Sequence, residues 1–296
     1  MTALHIIITD FNGYTQTRLC LEALSASHYR DFTITVVDHG TTEETSAGLT
    51  KEFPEAMQLK GSPNLWWAGA NNLGIQHGLA SGADAILLLN NDCYVSPDTV
   101  GILVELMQKT PNAIIAPVQQ DKQSGEMISI GPCTCFLLGF PNIAGHQQLT
   151  KKMQINETLA VSLIIGGRGV IIPAQVFRQI GLLDQENLPH YGADHDFYLR
   201  ARQQGIELCV ATHAFVKIDN TRTTLAHDPG SLDVSDFLQS LTSIRSHRNL
   251  RDVNRLFRKH YPIPYLYPIG VALFFSRYVM VYLLKRGIFL MRRLLR

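Results

Sequence analysis

The sequence predicts an α/β fold, with a mostly parallel central sheet flanked by helices and a helical C-terminal extension. Three observations carry that prediction. Apolar runs rich in β-branched residues alternate with helix-spaced segments throughout the N-terminal part of the chain. The carboxyl ends of the expected strands are polar and acidic, as ligand-binding ends of such sheets are. The charge is also divided. Residues 1–240 hold 14 Lys and Arg against 24 Asp and Glu, a net −10. Residues 241–296 hold 12 basic residues against Asp252 alone, a net +11.

The elements follow in order. ALHIIITDFN is a continuous β-branched run, as in a strand buried on both faces, ending in a polar loop. TQTRLCLEALSAS places Leu19, Leu21 and Leu24 at helical spacing. FTITVVDHGTT is a second strand, and TSAGLTKEFP a second helix stopped near Pro54. MQLKG is a short third strand. PNLWWAG is a loop carrying Trp66 and Trp67, and NNLGIQHGLASG is a helix that Gly82 ends. DAILLLNNDCYV is a fourth strand. SPDTVGILVELMQKTP is a helix with Ser96 as N-cap and Pro97 at its first position.

Beyond Pro111 the alternation weakens. IIAPVQQ and MISI have strand character, residues 131–160 are irregular, and LIIGGRGVIIP is an apolar run broken by three glycines. AQVFRQIG is a short helix ending at Gly181. ELCVA is a strand, TLAHDPGS a loop, and residues 233–260 one long helical region.

With 46% hydrophobic and 17% charged residues among 296, the chain can bury a large core, and general disorder is excluded. Five cysteines without framework spacing point to a reducing compartment. The Cys133–Cys135 pair has no second pair to complete a zinc site. LHIII is too short, and lacks the basic flank, for a secretory signal.

Several residues carry candidate chemistry. Asn90, Asn91 and Asp92 end a buried strand, where an acid can hold a divalent cation through oxygen or cap the following turn. Asp38 can accept from a base or ribose, or close an Asx-turn. Trp66 and Trp67 lie beside small residues and asparagines, a setting that suits a sugar or base as well as core packing. Asp194 and Asp196 fall in the first turn of a helix over GADHDFYLRARQQG, where acids suit the helix dipole. Arg200 is placed for an i,i+4 pair with Asp196. A carboxylate there can equally serve as general base, and spacing alone does not separate the two.

Taken in order, DFNG, VVDHGTT, NLWWAGANNLGI, LLLNNDCYV, GGRGVIIPAQVFRQIGLLD, YGADHDFYLRARQQG and AHDPGS resemble the motif series of the family 2 glycosyltransferases. These are inverting nucleotide-sugar enzymes of the GT-A fold, and the rhamnosyltransferase-like bacterial group is the nearest in flavour. The resemblance runs from about residue 4 to about residue 260. It implies a donor site at Phe11, Asn12, Asp38, Trp67, Asn72 and Asn91, a Mn2+ or Mg2+ site at Asp92 and His227, and Asp194 as the base that deprotonates an acceptor hydroxyl. It further implies a UDP- or dTDP-linked donor and a glycan or lipid-linked acceptor in cell-surface glycan synthesis. Four positions depart from the family pattern: Asn90 for the first Asp of a DxD, Ala193 for Glu, His39 for Asn or Asp, and Trp66 for Gly.

On this reading residues 1–240 form the catalytic domain and 241–296 a basic, apolar extension. LYPIGVALFFSRYVMVYLL, 266–284, is apolar except for Arg277. At the centre of a spanning helix that arginine would cost about 2.5–3.5 kcal/mol. With Lys285, Arg286, Arg292, Arg293 and Arg296 close by, 262–296 is expected to lie as a helix or helix pair on the cytoplasmic face of the membrane. A homodimer interface and a true span are the alternatives, and nucleic-acid binding is rejected because the segment is too apolar and the rest too acidic. Two other functions are compatible with an α/β domain of this kind. A nucleotidyltransferase lacks support because TDFNGYTQTR has no glycine-rich, basic phosphate loop. A non-catalytic membrane scaffold is motivated by Asn90 and Ala193.

Overall fold

The computed structural model describes residues 2–129, 134–140, 155–219 and 232–294. They fall into two compact units, one within 1–133, 144–189 and 193–220, the other within 134–143, 190–192 and 221–296.

The first unit is a mixed sheet with helices. Among the described residues the strands run β3-β2-β1-β4-β9-β6-β10-β5, with β7 beside β6 and β8 beside β10. The parallel half is β3 (Met57–Lys60), β2 (Phe32–Asp38), β1 (Leu4–Asp10) and β4 (Ala85–Asn90). β1 is buried along all seven residues, as its unbroken apolar sequence requires of a central strand. Helices α1 (Tyr14–Ser25), α2 (Glu44–Glu52) and α3 (Trp66–Ala80) connect these strands. α3 reaches the sheet through small residues: a Cβ at Gly74 would lie 2.4 Å from Ile7 Cγ2. The other half is mixed. β9 (Arg168–Pro173) enters antiparallel beside β4, and β6 (Ala113–Asp121) pairs parallel with β10 (Glu207–Ile218). Helices α4 (Thr99–Lys109), α5 (Ala174–Ile180) and α6 (Ala193–Gln203) complete the unit, with the short strands β5 (Cys93–Val95), β7 (Met127–Ser129) and β8 (Thr158–Ala160).

Several local expectations are corrected. Trp66 and Trp67 open α3 rather than sit in a loop; the 3-10 turn Pro63–Leu65, started by the Ser62 side chain on Asn64 N–H, feeds the helix directly. DAILLLNNDCYV is split into β4 and β5 around the turn at Asn91 and Asp92. Ser96 is not the cap of α4, because its N–H is drawn to Phe215 O and Thr99 is pinned to Phe215 on both its hydroxyl roles. β10 continues past ELCVA to Ile218, following the alternation of buried and exposed residues in THAFVKI.

The second unit is helical: α7 (Val234–Thr242), α8 (Leu250–His260) and α9 (Tyr267–Leu294). The long helical region expected over 233–260 is therefore two helices, since the Asn249 side chain caps α8 by accepting from Arg251 and Asp252 N–H. The C-terminal segment is one helix. Phe237 of α7 stacks on Tyr278 and Tyr282 of α9 at 5.0 and 4.1 Å, and Gly270 lets α9 close on Phe257 and Tyr261.

One buried acid fixes the ligand end of the parallel half. Asp10 has no exposure and accepts four hydrogen bonds, from Gly13 N, Thr45 Oγ1, Thr17 Oγ1 and Asn91 Nδ2. Replacing it with alanine strands four donors, each bonded to a charged acceptor. Asp10→Ala is therefore expected to lower unfolding stability by on the order of 4 kcal/mol, and Asp10→Asn by roughly half of that. Urea unfolding midpoints at unchanged slope measure it; a loss below ~1 kcal/mol for the alanine variant would remove Asp10 from this role.

Candidate active site

The loops after β1, β2 and β4 meet at the carboxyl end of the parallel strands. Asn12, with φ +52°, brackets the next loop: its Oδ1 accepts from Thr41 and Thr42 N–H at 2.8 and 3.2 Å. Asp38 is buried; it accepts from Gly40 N–H at 3.0 Å and from Lys60 Nζ at 3.0 Å. Phe11 is partly exposed, and its ring lies 5.2 Å from that of His39. Two aromatic rings thus flank the ends of β1 and β2, beside an acid held by a lysine.

Trp67 donates its indole N–H to Asn90 Oδ1 at 2.9 Å, which binds the start of α3 to the end of β4. Asn91 directs its amide inward to Asp10, Thr17 and Gly13. Asn72 clamps α3 to the segment after α5, accepting from Leu183 N–H and donating to Leu183 O and Gln185 Oε1. The structure therefore gives Asn12, Asn72 and Asn91 bracing contacts within the protein.

Asp92 follows Asn91. Its main-chain oxygen accepts from Asp219 N–H at 2.8 Å, and its carboxylate accepts from the Cys93 thiol at 3.3 Å. Burial pushes its pKa up, against the pull of the nearby Arg168 charge. A half-buried carboxylate whose one side-chain partner is a thiol suits a hard cation, and Asp92 fits as one oxygen ligand. Among the described residues no group of three His, Cys, Asp or Glu side chains gathers there. His227 lies outside the described residues.

Asp194 opens α6, and its Oδ2 accepts from Gly166 N–H at 2.7 Å, with His195 Nε2 at 3.7 Å. Gly166 O in turn accepts from Tyr198 OH, and Gly167 O accepts from Asn90 N–H at 2.7 Å. Residues 166 and 167 thereby tie the Asp194 helix to the end of β4. Asp196 is buried and paired with Arg200 at 2.9 Å; Arg200 also donates to Ile180 O and Leu182 O. That arginine is structural glue for α6, as its spacing suggests.

Four residues of this region escape a reading of the sequence alone: Asp10, Thr17, Asp219 and Arg168. Asp219 is buried at the end of β10 and pairs with Lys122 at 3.0 Å. Its position straight after the alternating VKI of β10 is the one available signal.

The sequence profile described as "Glycosyl transferase family 2" matches residues 5–153, half of the chain. The chain belongs to glycosyl transferase family 2. Solved structures share its fold as well. Similar structures include GalNAc-T7 with UDP, GalNAc and Mn2+ (TM-score 0.62, 15% identity, 74% of this chain and 44% of that one). S. aureus TarS 1-349 in complex with UDP-GlcNAc is another (TM-score 0.57, 10% identity, 93% of this chain and 72% of that one). In sequence, the uncharacterized protein Rv1525 of Mycobacterium tuberculosis is 23% identical over 170 residues, 56% of this chain and 59% of its own length. The family match covers β1 to β4, Asp38 and Asp92; Arg168 and Asp194 lie beyond it.

The buried histidine of this site gives a pH test. Burial lowers the pKa of His39 from 6.5, against the raising pull of Asp10 and Asp38. The unfolded chain then takes up the proton first. The stabilising contribution is present above the unfolded pKa and is lost as pH falls through the folded one. His5 is lowered in the same sense by burial and by His77, so the informative quantity is the difference between wild type and His39→Asn. Between about pH 7.5 and about pH 5 the wild type is expected to lose more unfolding free energy than the variant. Parallel losses in urea titrations would refute the assignment.

Proposed function

We propose that the chain is an inverting glycosyltransferase. It moves a sugar from a nucleotide-diphosphate donor, UDP- or dTDP-linked, to a hydroxyl of a glycan or lipid-linked acceptor in surface-glycan synthesis. The observation that carries this reading is the link between Asp194 and the strand ends. Gly166 N–H holds the Asp194 carboxylate while Gly167 O holds Asn90, so one acid belongs to the same constellation as Asp38 and Asp92. In this reading Phe11 and Asp38 receive the base and ribose. Trp67 packs at the sugar end, and Asn12, Asn72 and Asn91 hold the loops that line the donor. Asp194 takes the acceptor proton as the acceptor oxygen attacks the anomeric carbon from the face opposite the leaving diphosphate. Asp92 would be one oxygen ligand of a Mn2+ or Mg2+ ion, which would supply positive charge to the leaving group when bound. The UDP of GalNAc-T7 and the UDP-GlcNAc of TarS, both in proteins of this fold, support a nucleotide-sugar donor.

The same proposal sets the protein against the cytoplasmic face of a membrane through residues 262–296. Residues 264–289 are long and apolar enough to cross a bilayer by length and composition. One side of α9 is nevertheless taken by α7 and α8 through Gly270, Phe274, Tyr278 and Tyr282. The other side exposes Ile269, Leu273, Met280, Leu283, Leu284 and Met291, which favours a helix lying in the interface over one surrounded by lipid. Arg277 is no naked charge within it, since it donates to Leu138 O and Gly139 O of the same unit.

Two experiments test these readings. Asp194→Asn is expected to keep nucleotide-diphosphate binding while lowering sugar transfer by about a hundredfold or more. Transfer at the wild-type rate would discard Asp194 as base. The wild type is expected to co-sediment with vesicles containing anionic lipid and far less with zwitterionic ones, and Leu283→Glu with Leu284→Glu to abolish this. A protein that ignores vesicles but sediments as a dimer would instead assign the exposed face to a second copy.

A further inference from the structure

Three buried acids of the first unit are each held by a local cation. Asp38 has Lys60, Asp219 has Lys122 and Asp196 has Arg200. Arg168 stands apart. It is partly buried at the first position of β9, opposite Leu89 and next to Gly167, whose oxygen holds Asn90 N–H. Among the described residues its side chain makes one hydrogen bond, from Nη1 to the neutral Gln119 Oε1 at 2.8 Å, and no ion pair within 4.0 Å. Gln119 is itself held by Ile165 O. A guanidinium offers five N–H donors, and a partly desolvated one with a single neutral partner is under-satisfied.

The backbone delivers the arginine to this place. Gly166 and Gly169 have φ of +68° and +83°, values that L side chains rarely adopt. The register shifts here, between Leu88 and Leu89 of β4, as at a bulge that re-aims a side chain. The Arg168 stem folds back over Gly166, so that a Cβ there would lie 3.4 Å from Arg168 Cγ. The arginine thus runs past the amide that holds Asp194, and its charge is felt at Asp92. These glycines break an otherwise apolar strand, and placing this side chain gives them a purpose.

We propose that Arg168 binds the diphosphate of the donor directly, as a two-pronged partner for its oxyanions. The inference rests on the nucleotide-sugar reading above and adds a residue to it. During transfer the acceptor oxygen bonds to the anomeric carbon and the bond from that carbon to the β-phosphate oxygen breaks. Its electron pair passes to the phosphate and the acceptor proton to Asp194. Arg168 meets the charge the diphosphate gains, where a fixed donor in a partly dry site is most effective.

Calorimetric titration of UDP, dTDP and GDP, and of the matching nucleosides, into wild type, Arg168→Gln and Arg168→Lys tests this, each with Mn2+ and with EDTA. The diphosphate that binds the wild type is expected to bind Arg168→Gln at least tenfold more weakly, about 1.4 kcal/mol. Arg168→Lys is expected to fall between them. Nucleoside affinity should not change, and the ratio should persist in EDTA. Equal diphosphate affinity in wild type and Arg168→Gln overturns this inference alone. An equal loss of nucleoside and diphosphate binding also overturns it, since that marks a general collapse of the site. Should Arg168→Gln fail to fold, Arg168→Lys decides, because it keeps the charge but not the planar fork. A wild type that binds none of the three diphosphates overturns the donor reading and this inference together.

Discussion

The four hydrogen bonds on the Asp10 carboxylate constrain everything at the ligand end of the parallel strands. Their donors come from the loop after β1, from α1, from α2 and from the turn after β4. A carboxylate with no access to water is tolerable only when its oxygens are occupied, and here each oxygen receives two donors. The consequences spread outward. The loop drawn tight at Gly13 sets Asn12 in a left-handed conformation, from which it holds the backbone at 41 and 42. That loop in turn follows Asp38 and His39, and the His39 ring meets Phe11. Asn91, held by Asp10 on one side, leaves Asp92 as the next residue of the turn. The positions of Phe11, Asp38 and Asp92 all depend on one acid that is wholly buried within the protein.

A second constraint joins the two kinds of sheet. The parallel half ends at β4, and β9 enters antiparallel beside it. Because β9 begins with a bulge, its leading residues do not continue the ladder. Gly167 turns its carbonyl to Asn90, and Gly166 offers its N–H to Asp194. The Asn72 amide adds a second tie, from α3 to the segment leading into α6. The acid on α6 is therefore held to the strand ends by main-chain groups and amides rather than by ion pairs. Such contacts are less sensitive to salt than ion pairs, and they leave the charges of the region available for other work.

How much of this is legible in the sequence follows from which interactions are local. The first three strands and their helices are read well, because continuous β-branched runs and helical leucine spacing are signals within one segment. The start of α3 is not, since a tryptophan with φ of +52° at its first residue has no propensity signature. The length of β10 depends on a period-2 pattern that only its pairing with β6 makes decisive. Acids and amides are the harder case. TDFN, VVDHG and LNNDC look alike, yet Asp10 is a buried hub, Asp38 is lysine-paired and Asp92 is held by a thiol. Asn72 and Asn91 look like ligand-facing amides, and the structure turns both inward, because sequence does not say which way an amide points. The Asp196–Arg200 pair is legible for the opposite reason, being fixed by i,i+4 geometry on one helix.

Residues 1–240 carry a net −10, so the field of this part of the chain repels an anionic ligand at a distance. Yet little of that negative charge is free near the strand ends. Asp10 is spent on neutral donors, and Asp38, Asp196 and Asp219 are spent on their own cations. What is left is Asp92, its charge disfavoured by burial, and Asp194, held by a backbone amide and approached by His195. On the proposed reading the first would bind a cation and the second would take the acceptor proton. A nucleotide-diphosphate donor bound between them, as proposed, would need positive charge supplied locally, because the acidic surroundings offer none at long range. Lys60 at the end of β3, Lys122 after β6 and Arg168 at the start of β9 are cations the described fold places near those strand ends; Lys60 and Lys122 are each committed to an acid, and Arg168 bonds the neutral Gln119.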